Sequence, residues 1–181
     1  MKRFLIRSLL FTLIVVAAHP AHSQAPGPSV AQMKRLDFWI GEWKGDGWIE
    51  MIPGQRHTFV QTESVQPKLG GVLLLIEGLG KRKAMPGESE AVSHNALAVV
   101  SYDGVSKTYR FRSYIMQGHS LETEAKVGDK RVEWSMPGPG GGTIRYTITL
   151  NDKGQWFEIG ERSADGKVWT RFFEMTLQRV K

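Results

Sequence analysis

The chain contains no cysteine among its 181 residues. Disulfides, a cysteine nucleophile and a lipid-modified cysteine at a processed N-terminus are therefore all excluded. Whatever fold forms must be held by its own core. Histidines are few: of five, His19 and His22 fall near the N-terminus, leaving His57, His94 and His119 on three separate segments. No H-x-H or H-E-x-x-H brings two of them together, so no metal site is expected. G-x-S-x-G is missing. The glycine run Gly138–Gly142 lacks the Lys-Ser/Thr of a phosphate-binding loop and leads into a strand. Long amphipathic helical patterns between the later segments are missing too, which argues against parallel βαβ units.

Clustered positive charge is scarce. The formal net charge is +6, but three of those charges (Lys2, Arg3, Arg7) sit in the first segment with no acid to balance them. That segment has the build of a secretory leader. A positive start is followed by the apolar run Leu9–Ala18, too short to span a bilayer, then Pro20 and the small residues of Ala21-His22-Ser23. Residues 1–23 are read as a cleaved signal peptide and residues 24–35 as a linker and the start of a short helix. Residues 36–181 form the domain, of net charge +3 once the leader is gone. No nucleic-acid footprint and no stable membrane anchor are expected, and the Lys81-Arg82-Lys83 cluster reads as a solvated loop. The protein is expected to be exported, periplasmic or secreted. Its oligomeric state is not legible.

What is present is aromatic, glycine-rich and strand-forming. Leu36–Met51 sets Phe38, Trp39, Trp43 and Trp48 beside Gly41, Gly45 and Gly47. The pattern predicts a helical plug over Ser29–Ile40 running into a curved first strand, Gly41–Met51. Turn signals then recur down the chain, from Pro53-Gly54 to Asp165-Gly166. Between them lie nine more strand-like segments: 56–65, 72–80, 91–102, 108–116, 121–127, 131–136, 143–150, 155–163 and 168–180. Several alternate cleanly, as in Ile144, Tyr146, Ile148 and Leu150 against Arg145, Thr147 and Thr149. Lys81–Glu90 reads as a mobile loop. Ten sequential strands predict an antiparallel up-and-down sheet, and a sheet that long removes its edges by closing into a barrel. The fold class is all-β.

Gly41-Glu42-Trp43 resembles the G-x-W signature of the calycins, the group of lipocalins and fatty-acid-binding proteins. GEWKGDG resembles the opening strand of the nitrobindin-type barrels. The whole domain is most similar to a bacterial family of unknown function, DUF1579, through FWIGEWKGDGW, the Gly70-Gly71 pair before LLLIEGLG, and ALAVVSYDG with YRFRSY. The resemblance implies a lipocalin-like barrel that takes a small apolar or amphipathic ligand. Nitrobindins hold haem through a late histidine, and none follows His119 here, so neither haem nor another cofactor is carried over.

Candidate pocket residues follow from parity and residue type. Phe111, Trp134, Met136, Tyr146 and Phe173 stand at alternating positions that line core and cavity alike. Glu77 and Glu158 are carboxyls in apolar surroundings, with Glu161 posing the same ambiguity as Glu158. Arg112 stands either on the outer face or turned inward with Tyr114 to hold an anionic head group. Gly41, Trp43 and Arg179 are assigned to barrel closure. No catalytic residue is assigned. An enzyme using Glu77 or Glu158 as acid or base, and a filled structural barrel, stay open beside the binding module. Mass spectrometry of exported protein should find a chain lacking the first 23 or so residues. Full-length protein in the membrane fraction would contradict that leader.

Overall fold

A computed structural model describes residues 27–82 and 91–180. The leader, residues 24–26 of the linker and residues 83–90 of the expected loop lie outside the described residues. The chain enters through a short helix, α1 (Pro28–Met33), and a 3-10 turn, Lys34–Trp39. Pro28 sits in the first turn of α1, where its missing N–H is not needed. The plug expected as one helix is thus split, its second half wound more tightly.

Ten strands follow: β1 Gly41–Ile52, β2 Gln55–Lys68, β3 Leu73–Arg82, β4 Ala91–Asp103 and β5 Thr108–Ile115, then β6 Ser120–Gly128, β7 Arg131–Pro137, β8 Thr143–Leu150, β9 Trp156–Ser163 and β10 Thr170–Arg179. Each pairs antiparallel with the next, and β1 pairs with β10, so the sheet closes into a barrel. Closure removes both edges and pairs the backbone all the way round. Lys81 and Arg82, expected in a loop, instead continue β3.

Closure begins at Gly41. Its φ of 140° lies in a region that side-chain-bearing residues avoid, so the chain turns from plug into strand there. At Gly45 the spacing is tight: a Cβ would strike the backbone of β10 at Thr176 and Leu177.

One end of the barrel is sealed. Leu36 and Trp39 of the plug join Trp43, Val100, Val132, Ile148, Trp156 and Leu177 in a floor of nearly inaccessible side chains. The Trp43 indole donates to the Trp39 carbonyl at 2.9 Å. Trp156 meets Trp39 and Trp43 edge-on, at centroid distances of 5.1 and 5.8 Å. The Tyr109 hydroxyl donates to the Gln32 carbonyl at 2.9 Å, and Arg35 donates to the Val127 carbonyl at 3.0 Å. These bonds tie the plug to the opposite wall.

At the seam Trp43 stands opposite Arg179 in register. The Arg179 guanidinium lies 4.1 Å from the centre of the Trp43 ring. The same group donates to the Ile40 carbonyl and, at 2.7 Å, to the Phe38 carbonyl. Arg179 therefore caps the end of the 3-10 turn while covering the indole. Its side chain is exposed, so the cation–π contribution is on the order of 0.5–1 kcal/mol.

Trp43→Ala should cost roughly 3–5 kcal/mol, because the ring is 1 % exposed and its loss leaves a cavity in the floor. Arg179→Ala should cost less, about 1–2 kcal/mol for its hydrogen bonds and ring contact together. Urea unfolding of both single variants and the double variant should show losses that do not add. Strictly additive losses would mean that plug and seam are energetically independent.

Candidate functional site

Above the floor the interior changes character. Strand parity sends Phe59, Gln61, Glu63 and Val65 of β2 inward, since all four are buried while Thr58, Thr62 and Gln66 alternate with them. From β9 the inward set is Trp156, Glu158 and Gly160. Two carboxyl groups are thus placed inside the barrel, Glu63 at 8 % exposure and Glu158 at 6 %.

Each carboxyl is held by one neighbour on its own strand. The Gln61 amide Nε2 donates to Glu63 Oε1 at 2.6 Å. The Trp156 indole Nε1 donates to Glu158 Oε2 at 3.0 Å. Room for Glu63 and Gln61 comes from β3, where glycines stand opposite. A Cβ at Gly78 would lie 2.6 Å from a Glu63 carboxyl oxygen, and one at Gly80 would lie 2.5 Å from the Gln61 amide oxygen.

Burial pushes Glu63 up from 4.5 to about 7, against the opposing pull of the Gln61 hydrogen bond. Burial pushes Glu158 up further, to about 8, and the negative charge of Glu63 adds to that rise. Burial, and after it the Glu158 charge, also raise the Tyr146 hydroxyl above its ordinary value. Both carboxyls are thereby held where they gain and lose protons near neutral pH.

An aromatic belt rises from this pair toward the other end of the barrel. Phe111 of β5 stacks on Trp134 of β7 at 4.5 Å, and Trp134 stacks on Tyr146 of β8 at 5.4 Å. Tyr146 meets Phe172 and Phe173 of β10 edge-on at 5.9 and 5.8 Å. Phe173 stacks on Phe59 of β2 at 5.7 Å. Both phenylalanines reach the inside because the β9–β10 register shifts between Arg171 and Phe173.

The belt is not sealed from above. The inward positions nearest the far rim are only half-buried: Ile49, Ala96, Ser113, Leu121, Met136 and Ile144. The floor residues are almost inaccessible, so the interior is closed at its base and less fully covered at the far rim.

Of the residues singled out from sequence, Phe111, Trp134, Tyr146, Phe173 and Glu158 are brought together, with Met136 nearer the rim. Three are placed outside. Glu77 is exposed, because the inward parity of β3 is Leu74, Ile76, Gly78 and Gly80. Arg112 and Tyr114 alternate with inward Phe111 and Ser113. Arg112 donates to Glu122 on the outer face at 3.0 Å, and the Tyr114 side chain is exposed. Of the two settings open for Arg112, the structure has the outer one, and Arg112 is not a pocket residue. Gln61 and Glu63 escaped the sequence reading. Their signal is the apolar bracket of Phe59 and Val65 on the same parity, matched by Gly78-x-Gly80 across the sheet.

Fold and interior together define a small closed antiparallel β-barrel with a plugged floor and an interior that holds an aromatic belt and two carboxyl groups. No family model matches the chain, and no curated protein matches it. Among solved structures the barrel is similar to the crystal structure of Rv2717c from M. tuberculosis, with a TM-score of 0.56 and 11 % identity. The match covers 86 % of this chain and 99 % of that one. At that identity the likeness is one of fold.

The raised carboxyls make stability fall with pH. The folded barrel holds protons that the unfolded chain, with carboxyls near 4.5, releases. The pair's contribution is complete below about 4.5 and is lost as pH rises through about 7 and 8. The groups facing the pair across its neighbouring strands are Trp43, Gly78, Ile148 and Met175, with Gln61, Trp156 and Tyr146 nearby, and none is charged at these pH values. Urea midpoints should therefore drop across that window, with a limiting slope near 1.4 kcal/mol per pH unit for each carboxyl. The Glu63→Gln, Glu158→Gln double variant should flatten the curve. An unchanged pH profile in that variant would assign the titration elsewhere.

Proposed function

We infer that the mature chain is an exported barrel that binds a small molecule with an apolar or amphipathic body in its cup. The observation that carries this reading is the belt Phe111–Trp134–Tyr146–Phe173–Phe59, assembled from five strands above a sealed floor and below half-buried rim positions. Such a wall offers a flat apolar ligand contact on several sides. The ligand is small, the chain works outside the cytoplasm without a stable membrane anchor, and nucleic acid is not a partner. Membership of the DUF1579 family and kinship with the nitrobindin-type barrels belong to this proposal, supported by the GEWKGDG opening and the ten-stranded closure.

A second reading is favoured by one observation, the carboxyls raised to about 7 and 8 beside the Tyr146 hydroxyl. Groups poised there suit general acid–base chemistry on a bound molecule.

Protein purified from its own cells and extracted into organic solvent should release a defined small molecule, detected by mass spectrometry. Trp134→Ala removes the middle of the stack and should lower retention of that molecule by roughly tenfold. Extracts with no molecule above background, from wild type and variant alike, would favour a filled structural barrel.

A further inference from the structure

The acidic pair is out of place in a purely apolar cup. Each carboxyl uses one oxygen to accept a hydrogen bond, Glu63 from Gln61 and Glu158 from Trp156. Among the described residues no donor reaches the second oxygen of either group. No lysine or arginine among the described residues acts on them: Glu63 responds to burial and Gln61, and Glu158 to burial, Glu63 and Trp156. A buried carboxyl without a counter-charge is costly, and apolar residues of similar size would serve a mere core better.

The complement of such a pair in a low-dielectric site is a hydrogen-bonding cation. An inorganic dication fits poorly. Calcium takes about six to eight oxygens, and magnesium needs a near-octahedral set. Gln61 turns its amide N–H, not its oxygen, toward Glu63, and among the described residues no three His, Cys, Asp or Glu side chains cluster. An ammonium needs less, since its N–H groups are satisfied by two or three acceptors.

We propose that the cup takes an organic amine in its protonated form, its N–H groups donating to the unoccupied oxygens of Glu63 and Glu158 while its apolar body lies against Trp134, Tyr146 and Phe173. The inference rests on the barrel being a binding cup, and it adds the sign and chemistry of the head group. An anionic ligand such as a fatty acid is disfavoured wherever either carboxyl is ionised, since no cation among the described residues stands beside the pair.

Three probes share one body and differ in the head: naphthylmethylamine, naphthylmethanol and naphthoate. Each is titrated calorimetrically into leader-free protein that has been unfolded and refolded to strip resident molecules. The amine should bind about ten- to a hundred-fold more tightly than the alcohol, the increment of a charge-assisted hydrogen bond to a buried carboxylate, and naphthoate should not bind. Glu63→Gln and Glu158→Gln keep an acceptor for Gln61 and Trp156. Each should narrow the gap between amine and alcohol, and an unchanged near-ultraviolet circular dichroism spectrum reports that the interior has kept its shape. Equal affinity for all three heads, tighter binding of naphthoate, or an amine preference that survives both substitutions would overturn the head-group assignment and leave the cup standing. Failure of every probe to bind wild-type protein would overturn the cup, and the head group with it.

Discussion

The seam between β1 and β10 carries the register from which the interior follows. Trp43 opposite Arg179 and Ile49 opposite Phe173 mark its ends. Closure in this register makes every side chain of even or odd position either an inside or an outside residue, strand by strand. A slip by one residue would turn one strand over, bringing Lys44 and Asp46 inside and expelling Trp43 if β1 moved, or bringing Glu174 inside and expelling Leu177 if β10 did. The Trp43 ring resists that slip at the floor, held by the Trp39 carbonyl beneath and by Arg179 beside it. Glycines at Gly45 and Gly47 let β1 come close to β10 where the wall would otherwise be too thick.

Given that register, the interior has two layers of different chemistry. Below, indoles and aliphatic side chains exclude water and anchor the plug. Above them, β2 and β9 each offer one carboxyl to the same low-dielectric space. Nothing in the strands between them supplies a balancing charge, so protons do. The aromatic belt then sets what lies over the pair. These features are independent in sequence, since they come from β2, β5, β7, β8, β9 and β10, and only closure brings them within reach of one another.

The barrel was legible because its turns are rich in glycine, aspartate and asparagine, and because β6, β7 and β8 alternate without a break. The opposition of Trp43 and Arg179 follows from strand order, the parity of β10 and the inward tryptophan that the G-x-W resemblance implies. The aromatic side of the cup was legible for the same reason. The acidic side was half hidden. β2 reads RHTFVQTESV, polar on both parities, so periodicity could not say which face was inside; the inward set there is itself half polar. β3 fails in the opposite sense. LLLI is apolar on both parities, which left Glu77 unplaced until its pairing with β2 and β4 put it outside. The bulge in β10 was invisible because Phe172 and Phe173 are consecutive and either could have been the inward ring.

Arg179 reaches back to the Phe38 carbonyl across 141 positions of chain. That span fixes which contact completes the sheet. Nine strands can zip together as hairpins, but the sheet they make keeps two open edges until the tenth joins. Contacts of such separation are slow to form, and they are the ones that turn an open sheet into a finished one. A chain without β10 would therefore be a sheet able to pair with its own kind, and that one strand decides between a closed barrel and a template for aggregation.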